Sequence, residues 1–268
     1  VGGISARVEG EEMPVVIEGF NKGDRTDLKL PKAQLDLLKE LHATGKPVVF
    51  VGTSGSAMAL NWEEENLSAI LNVWFPGSEA GLAISDVLFG DVNPSGKLTA
   101  TFPQNVGQVP VFYNHKNTGR PLSKWFSKFQ SNYIDVSNEP LYPFGYGLSY
   151  TNFEYSDFSL SATQLKGNQK LMATVTLKNT GAVTGKEVVQ LYIRDIVGSA
   201  TRPVQELKGF QKIELAAGET KKVSFEITPE LLKFYNTDLK YDWESGEFNV
   251  MLGPNSRDVK TLKVNWTK

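Results

Sequence analysis

Lys46-Pro47-Val48-Val49-Phe50-Val51-Gly52 is the stretch on which the fold of the first half turns. Val48 to Val51 run without a polar residue between a proline and a glycine. A half-wet strand would alternate; a continuous short run fits a strand covered on both faces, as in a parallel sheet. Upstream, Pro31 to Leu41 places Leu35, Leu38 and Leu41 on one helical face, opens on proline and is followed by Gly45. That is an amphipathic helix with its usual punctuation. Downstream, Ala69-Ile70-Leu71-Asn72-Val73-Trp74-Phe75 is a second apolar run, and Ala57 to Asn66 holds a short helix between the two. Ser78 to Phe89 reads as a further helix, stopped by Gly90. The alternation is βαβαβα, which predicts an open, mainly parallel α/β layer. Val1-Gly2-Gly3 reads as the end of a buried strand, so earlier strands of the layer are expected upstream of Val1.

The texture changes further along. Residues 101–150 are irregular, with Phe112, Tyr113, Trp125, Phe126, Phe129, Tyr133 and Tyr142 scattered among Asn, Ser and Lys. A connection of this length is unusual, and long ordered loops tend to carry function; the competing reading is that these aromatics only pack domains together. From Phe153 onward the segments 153–160, 170–179, 187–195, 204–215, 220–227, 247–252 and 259–266 alternate or are rich in β-branched residues. Turn signals such as Asn179-Thr180-Gly181, Glu244-Ser245-Gly246 and Gly253-Pro254-Asn255 separate them. Such spacing predicts an all-β sandwich of the immunoglobulin or fibronectin type III kind. The expected organisation is an α/β layer over 1–110, an aromatic-rich connecting segment over 111–150 and a fibronectin type III-like sandwich over 151–268.

Composition narrows the function. The chain has 268 residues, room for two domains and a sizeable core, and a net charge of −2. Bulk electrostatics give it no attraction to nucleic acid or anionic lipid. With no Cys, disulfides, thiolate metal sites and a Cys nucleophile are excluded. No apolar run reaches the length of a membrane span. His42 and His115, the two histidines, stand apart and form no zinc signature; His42 reads as a surface or helix-end residue. Gly52-Thr53-Ser54-Gly55-Ser56 follows a strand but lacks the Lys of a phosphate-binding loop, and reads as a strand-to-helix turn. Neither a cofactor nor a metal is expected.

One constellation can carry chemistry. Glu9, Glu11, Glu12 and Glu18 fall in a glycine-bearing stretch just after the first strand end. Loops leaving strand C-termini are where open α/β sheets hold ligands. Glycosidic hydrolysis needs one carboxylic acid to protonate the leaving oxygen and a second carboxylate on the other face of the sugar. Gly23-Asp24-Arg25 follows closely, and an Asp24–Arg25 pair is suited to anchoring the loop that carries the acid; alternatively it is a turn with a surface ion pair.

Several motifs together resemble the C-terminal half of glycoside hydrolase family 3. They are the Glu-rich stretch before Gly23-Asp24-Arg25, Leu28-Lys29-Leu30-Pro31-Lys32-Ala33-Gln34, Trp74-Phe75-Pro76-Gly77 and Asp91-Val92-Asn93-Pro94-Ser95-Gly96-Lys97-Leu98. Leu141-Tyr142-Pro143-Phe144-Gly145-Tyr146-Gly147-Leu148-Ser149-Tyr150 and Arg202-Pro203 to Leu207-Lys208-Gly209-Phe210 complete the set. The resemblance implies a retaining exo-β-glycosidase acting on β-glucosides or related oligosaccharides. In that family an Asp of an N-terminal barrel is the nucleophile and a Glu of this half is the acid/base. It therefore also implies a barrel domain of the same protein as partner, an inactive fragment when this piece stands alone, and a periplasmic or secreted location. Members with Gly-Glu-Gly before Asp-Arg point to Glu11; here Glu12 replaces the second Gly and an insertion brings in Glu18-Gly19. The order of candidates is Glu11, Glu18, Glu12, with Asp24 and Arg25 holding the loop. The rival expectation is a non-catalytic carbohydrate-binding or adhesion module using the aromatics of 112–142.

Overall fold

The computed structural model describes residues 2–3, 18–21, 24–120 and 129–268, which form two compact units. The first takes the chain through Val92, then residues 100–111 and 133–142; the second takes residues 93–99, 112–132 and 143–268.

In the first unit, β1 (Gly2–Gly3), β4 (Val49–Thr53) and β5 (Ala69–Asn72) form a parallel sheet in that spatial order. Within the β4 run Phe50, Val51 and Gly52 are buried, whereas Val49 at its start is exposed. Helix α1 (Lys32–Ala43) precedes β4, α2 (Asn61–Asn66) links β4 to β5, and α3 (Ala80–Phe89) follows. Gly90, at φ 87°, ends α3 in the left-handed conformation that glycine adopts without strain. The second apolar run ends as a strand at Asn72 rather than Phe75, because Trp74 turns the backbone at φ 51°. A short hairpin, β2 (Phe20–Asn21) and β3 (Asp24–Arg25), stands before α1.

The second unit is a sandwich. Strands β8 (Leu171–Asn179), β11 (Thr220–Ile227) and β6 (Phe153–Leu160) make one antiparallel sheet with β8 in the centre. The other sheet runs β10 (Glu206–Leu215), β9 (Gly185–Asp195), β14 (Gly246–Gly253), β15 (Lys260–Thr267) and β7 (Gln164–Lys166). Alternate residues of both sheets meet in one core: Leu171, Val175 and Phe225 from the first, Leu191, Val250 and Trp266 from the second. β8 alternates inside and outside as a one-sided strand must. β9 does not: Val189 through Ile193 are all buried, because Gln190 and Tyr192 on its outer face are covered too. Tyr192 meets Tyr113 edge-on at 5.8 Å, and Gln190 Nε2 donates to the carbonyls of Gly145 and Pro254. Two strands of two residues, β12 (Phe234–Tyr235) and β13 (Tyr241–Asp242), pair beside the sandwich. No helix among the described residues is long and apolar enough to cross a membrane.

Candidate functional site

The carboxyl ends of the parallel strands lie level, since Gly2 pairs with Gly52 and Gly52 with Asn72. Three chain segments leave from this edge. The one that leaves β1 carries Glu9, Glu11 and Glu12, which lie outside the described residues. The segment leaving β4 contains Ser54, fully buried, whose hydroxyl donates to the Ser56 carbonyl at 2.8 Å. The segment leaving β5 turns at Trp74, whose ring packs 5.9 Å from Phe102. A bulky side chain at positive φ is uncommon, and such strain collects at functional sites.

Glu18 is exposed, in the turn that leads into β2. Gly19, at φ 83°, closes that turn by accepting the Thr26 N–H at 2.9 Å. Asp24 is exposed opposite Asn21 in the hairpin, and Arg25 is half-buried beside it. The Arg25 guanidinium donates to the Ser56 hydroxyl and, at 3.4 Å, to the Ala57 carbonyl. Arg25 thus ties the hairpin after Glu18 to the segment leaving β4. Its reach across 31 residues was not visible in the Gly-Asp-Arg triplet alone.

Two further residues of this unit escaped sequence reasoning. Asn72 ends β5 with both amide atoms buried and without a hydrogen-bond partner among the described residues. Its carboxamide can both donate and accept at the sheet edge, as binding a hydroxyl would require. Glu63 is 3% exposed, and burial pushes its carboxyl above the ordinary carboxylate range, against the opposing pull of its own backbone N–H and of Lys39. Only three-dimensional packing selects it from Glu63-Glu64-Glu65. His42, in the last turn of α1, is exposed with its ring edge-on to Trp62 at 5.8 Å. Among the described residues, no three metal-ligating side chains converge.

In the second unit, segments 93–98 and 145–150 interlock. Leu98 N–H donates to Tyr146 and Gly145 N–H donates to Leu98, both at 2.8 Å. Asn93 accepts from the Ser149 hydroxyl and the Tyr150 N–H, and donates to the Thr184 carbonyl. Lys97 reaches Glu187 at 3.1 Å and the Gly147 carbonyl at 2.8 Å. Two stretches that stand out separately in the sequence are therefore one hydrogen-bonded assembly. Of the aromatics in 112–142, Tyr113 stacks on Phe144 at 4.3 Å, whereas Phe112 and Phe129 are exposed. In the first unit, Tyr133 donates to the Gln108 carbonyl and Tyr142 packs 6.0 Å from Phe102. Trp125 and Phe126 lie outside the described residues.

A family model described as the glycosyl hydrolase family 3 C-terminal domain matches residues 1–150. The chain belongs to glycoside hydrolase family 3. A fibronectin type III-like domain model matches residues 187–256, in agreement with the sandwich. A periplasmic beta-glucosidase of Salmonella typhimurium is 52% identical over 256 residues, 93% of this chain and 34% of that protein. A xylan 1,4-beta-xylosidase of Xylanibacter ruminicola is 41% identical over 98% of this chain and 29% of its own length. Among solved structures, beta-glucosidase from Listeria innocua in complex with glucose superposes with a TM-score of 0.87 at 43% identity, covering 93% of this chain and 35% of that one. The chain thus spans about a third of the length of these family 3 relatives. The α/β layer followed by a fibronectin-like sandwich, expected from hydrophobic periodicity, is the fold of this family member.

Proposed function

We propose that this chain is the part of a retaining exo-β-glycosidase that supplies the acid/base carboxyl. Its substrates are β-glucosides or related oligosaccharides, cleaved from the non-reducing end. The observation that carries the reading is similarity along nearly the whole chain to β-glucosidases and β-xylosidases, 52% identity over 93% of its length in one case. The stretch bearing the candidate acids supports it, because it follows a strand that ends at the carboxyl edge of a parallel sheet.

In this mechanism a nucleophilic Asp from a barrel domain of the same protein attacks the anomeric carbon. Glu11 donates its proton to the departing oxygen and later takes one from the water that releases the sugar. Glu18 is the second candidate and Glu12 the third; Arg25, together with Asp24, holds the neighbouring hairpin. The two reacting carboxyl groups must stand about 5–5.5 Å apart, so the chain by itself is inactive and the barrel completes the site. A periplasmic or secreted location follows the name of the Salmonella relative.

The test uses the full-length protein with Glu11→Gln and Glu18→Gln on aryl β-glucosides and β-xylosides. Glu11→Gln should lower turnover of poorly activated leaving groups at least 100-fold, with azide restoring the rate on activated ones. The same pattern in Glu18→Gln instead moves the role to Glu18. Full activity in both variants overturns the acid/base assignment and favours a carbohydrate-binding module.

A further inference from the structure

In the first unit, Phe102 and Tyr142 are the root of two loops. Each backbone N–H donates to the other's carbonyl, at 2.9 and 3.3 Å, and Phe102 is buried. One loop leaves Phe102 through residues 103–109; the other returns to Tyr142 through residues 133–141. Gln108, fully buried, laces them together. Its Nε2 donates to the carbonyls of Ser137 and Glu139 at 2.9 and 3.2 Å, and its own carbonyl accepts from the Tyr133 hydroxyl at 3.1 Å. Asn105 Nδ2 adds a bond to the Asp135 carboxylate at 2.9 Å, and Gln104 Nε2 one to the Ser137 hydroxyl at 2.7 Å. This frame holds apolar side chains outward. Ile134 is fully exposed between the two residues that bond to the facing loop, and Val106 and Val109 are about half exposed. A single exposed apolar residue is ordinary; three carried on one cross-linked pair of loops mark a contact surface.

Position and charge select the partner. The root lies beside the carboxyl edge of the parallel sheet, since Trp74, just past the end of β5, packs its ring 5.9 Å from Phe102. The segment that carries the candidate acids leaves β1 at the same edge. A retaining glycosidase needs the nucleophilic carboxylate about 5–5.5 Å from the acid, so a barrel that supplies it must stand over this edge. The relatives have the chain to do so: 34%, 29% and 35% of their lengths are matched, which leaves about two thirds outside. The loops also carry Asp135 and Glu139, both exposed, and no Lys or Arg lies in 102–111 or 133–142. A second copy seated on the same surface would set these carboxylates against their own kind. The surface that fits is apolar with a basic rim.

We propose that the loops laced by Gln108 are a docking surface for the barrel domain of the same protein, with Ile134, Val106 and Val109 as its apolar contacts. The inference rests on the glycosidase reading, which places the barrel over the carboxyl edge. These residues touch no substrate; they are positioning residues that fix where the barrel's carboxylate stands relative to the acid.

Cysteine labelling of the full-length protein tests the contact without reference to activity. The 268 residues contain no Cys, so Ile134→Cys and Val109→Cys can be followed peptide by peptide with a maleimide. Expected is labelling at least ~10-fold slower in the native protein than in urea at both positions, and a native rate within about twofold of the urea rate overturns the proposal. Protection that disappears as the protein is diluted to monomer assigns the surface to a second copy and overturns it equally. Activity tests the consequence. Ile134→Asp should lower kcat/KM on aryl β-glucosides at least ~10-fold without rescue by azide, and Ile134→Ala should stay within about threefold of the parent. An unchanged kcat/KM in Ile134→Asp overturns the positioning role. Because protection is read without substrate, its absence in an enzyme that still depends on Glu11 removes this docking surface and leaves the glycosidase reading standing.

Discussion

Lys97→Ala isolates the buried ion pair that holds the 93–98 segment in the sandwich unit. Lys97 and Glu187 side chains are 12% and 5% exposed, so neither charge is well hydrated. Lys97 bonds Glu187 at 3.1 Å, and the Tyr155 hydroxyl donates to the same carboxylate at 3.1 Å. Removing one partner of a buried pair costs about 3–5 kcal/mol, because the other charge stays behind in low dielectric. Replacing both is far milder, so Lys97→Met with Glu187→Gln should come back to within about 1–2 kcal/mol of the parent.

The pH dependence follows from what shifts Glu187. Burial raises its pKa; Lys97, the Tyr155 hydroxyl and the Val188 backbone N–H lower it, with burial prevailing. Without Lys97 the folded-state carboxyl is pushed higher still. A carboxyl raised in the folded state favours folding most fully below its unfolded pKa, and that contribution is lost as pH rises through the folded value. The deficit of Lys97→Ala should therefore be small near pH ~4 and grow as pH rises through the raised folded-state value. The assay is urea unfolding followed by Trp243 and Trp266, with the other three tryptophans replaced by phenylalanine. With a slope of about 2 kcal/mol/M, the midpoint should fall roughly 2 M at the alkaline end. A deficit under about 1 kcal/mol at pH ~8, or one that does not shrink on acidification, would refute the reasoning.

Two other substitutions probe the same unit. Gly145 sits at φ 79°, and a Cβ there would come 2.1 Å from Gln190 Oε1, which also accepts from the Tyr192 hydroxyl. Gly145→Ala should cost about 2–3 kcal/mol in the sandwich transition, measured by the same urea titration; a loss under half of that would mean Gln190 moves aside freely. Trp266 is fully buried and donates its indole N–H to the Gly167 carbonyl at 3.0 Å. Trp266→Phe should lose about 1–3 kcal/mol and Trp266→Ala about 3–5 kcal/mol, read by calorimetry, and equal losses would show that the hydrogen bond, not the volume, dominates.

Local chemistry made much of this molecule readable before any coordinates. Apolar runs, alternation and turn residues act over neighbours in the chain, so β4, the helices on either side of it and the seven main sandwich strands appear close to their expected limits. The Glu-rich stretch and Gly-Asp-Arg triplet could be picked out as candidates for the same reason: they are local patterns along the chain. Short elements were not readable, since β7, β12 and β13 have three, two and two residues and take their conformation from the strands they meet. The division into compact units was equally hidden, because residues 93–99 leave the α/β part and join the sandwich through contacts with chain far downstream. The continuous burial of β9 depends on a cover for its outer face that only folding supplies. Nothing in Glu63 or Asn72 as letters distinguishes them from other polar residues of this chain, and the motif that contains Lys97 does not show that its charge is buried. The sequence by itself determined the main strands and helices and the succession of an α/β part and a β-sandwich. Tertiary structure decided which charges are desolvated and which polar atoms face one another, because burial and distance are properties of residues brought together from opposite ends of the chain.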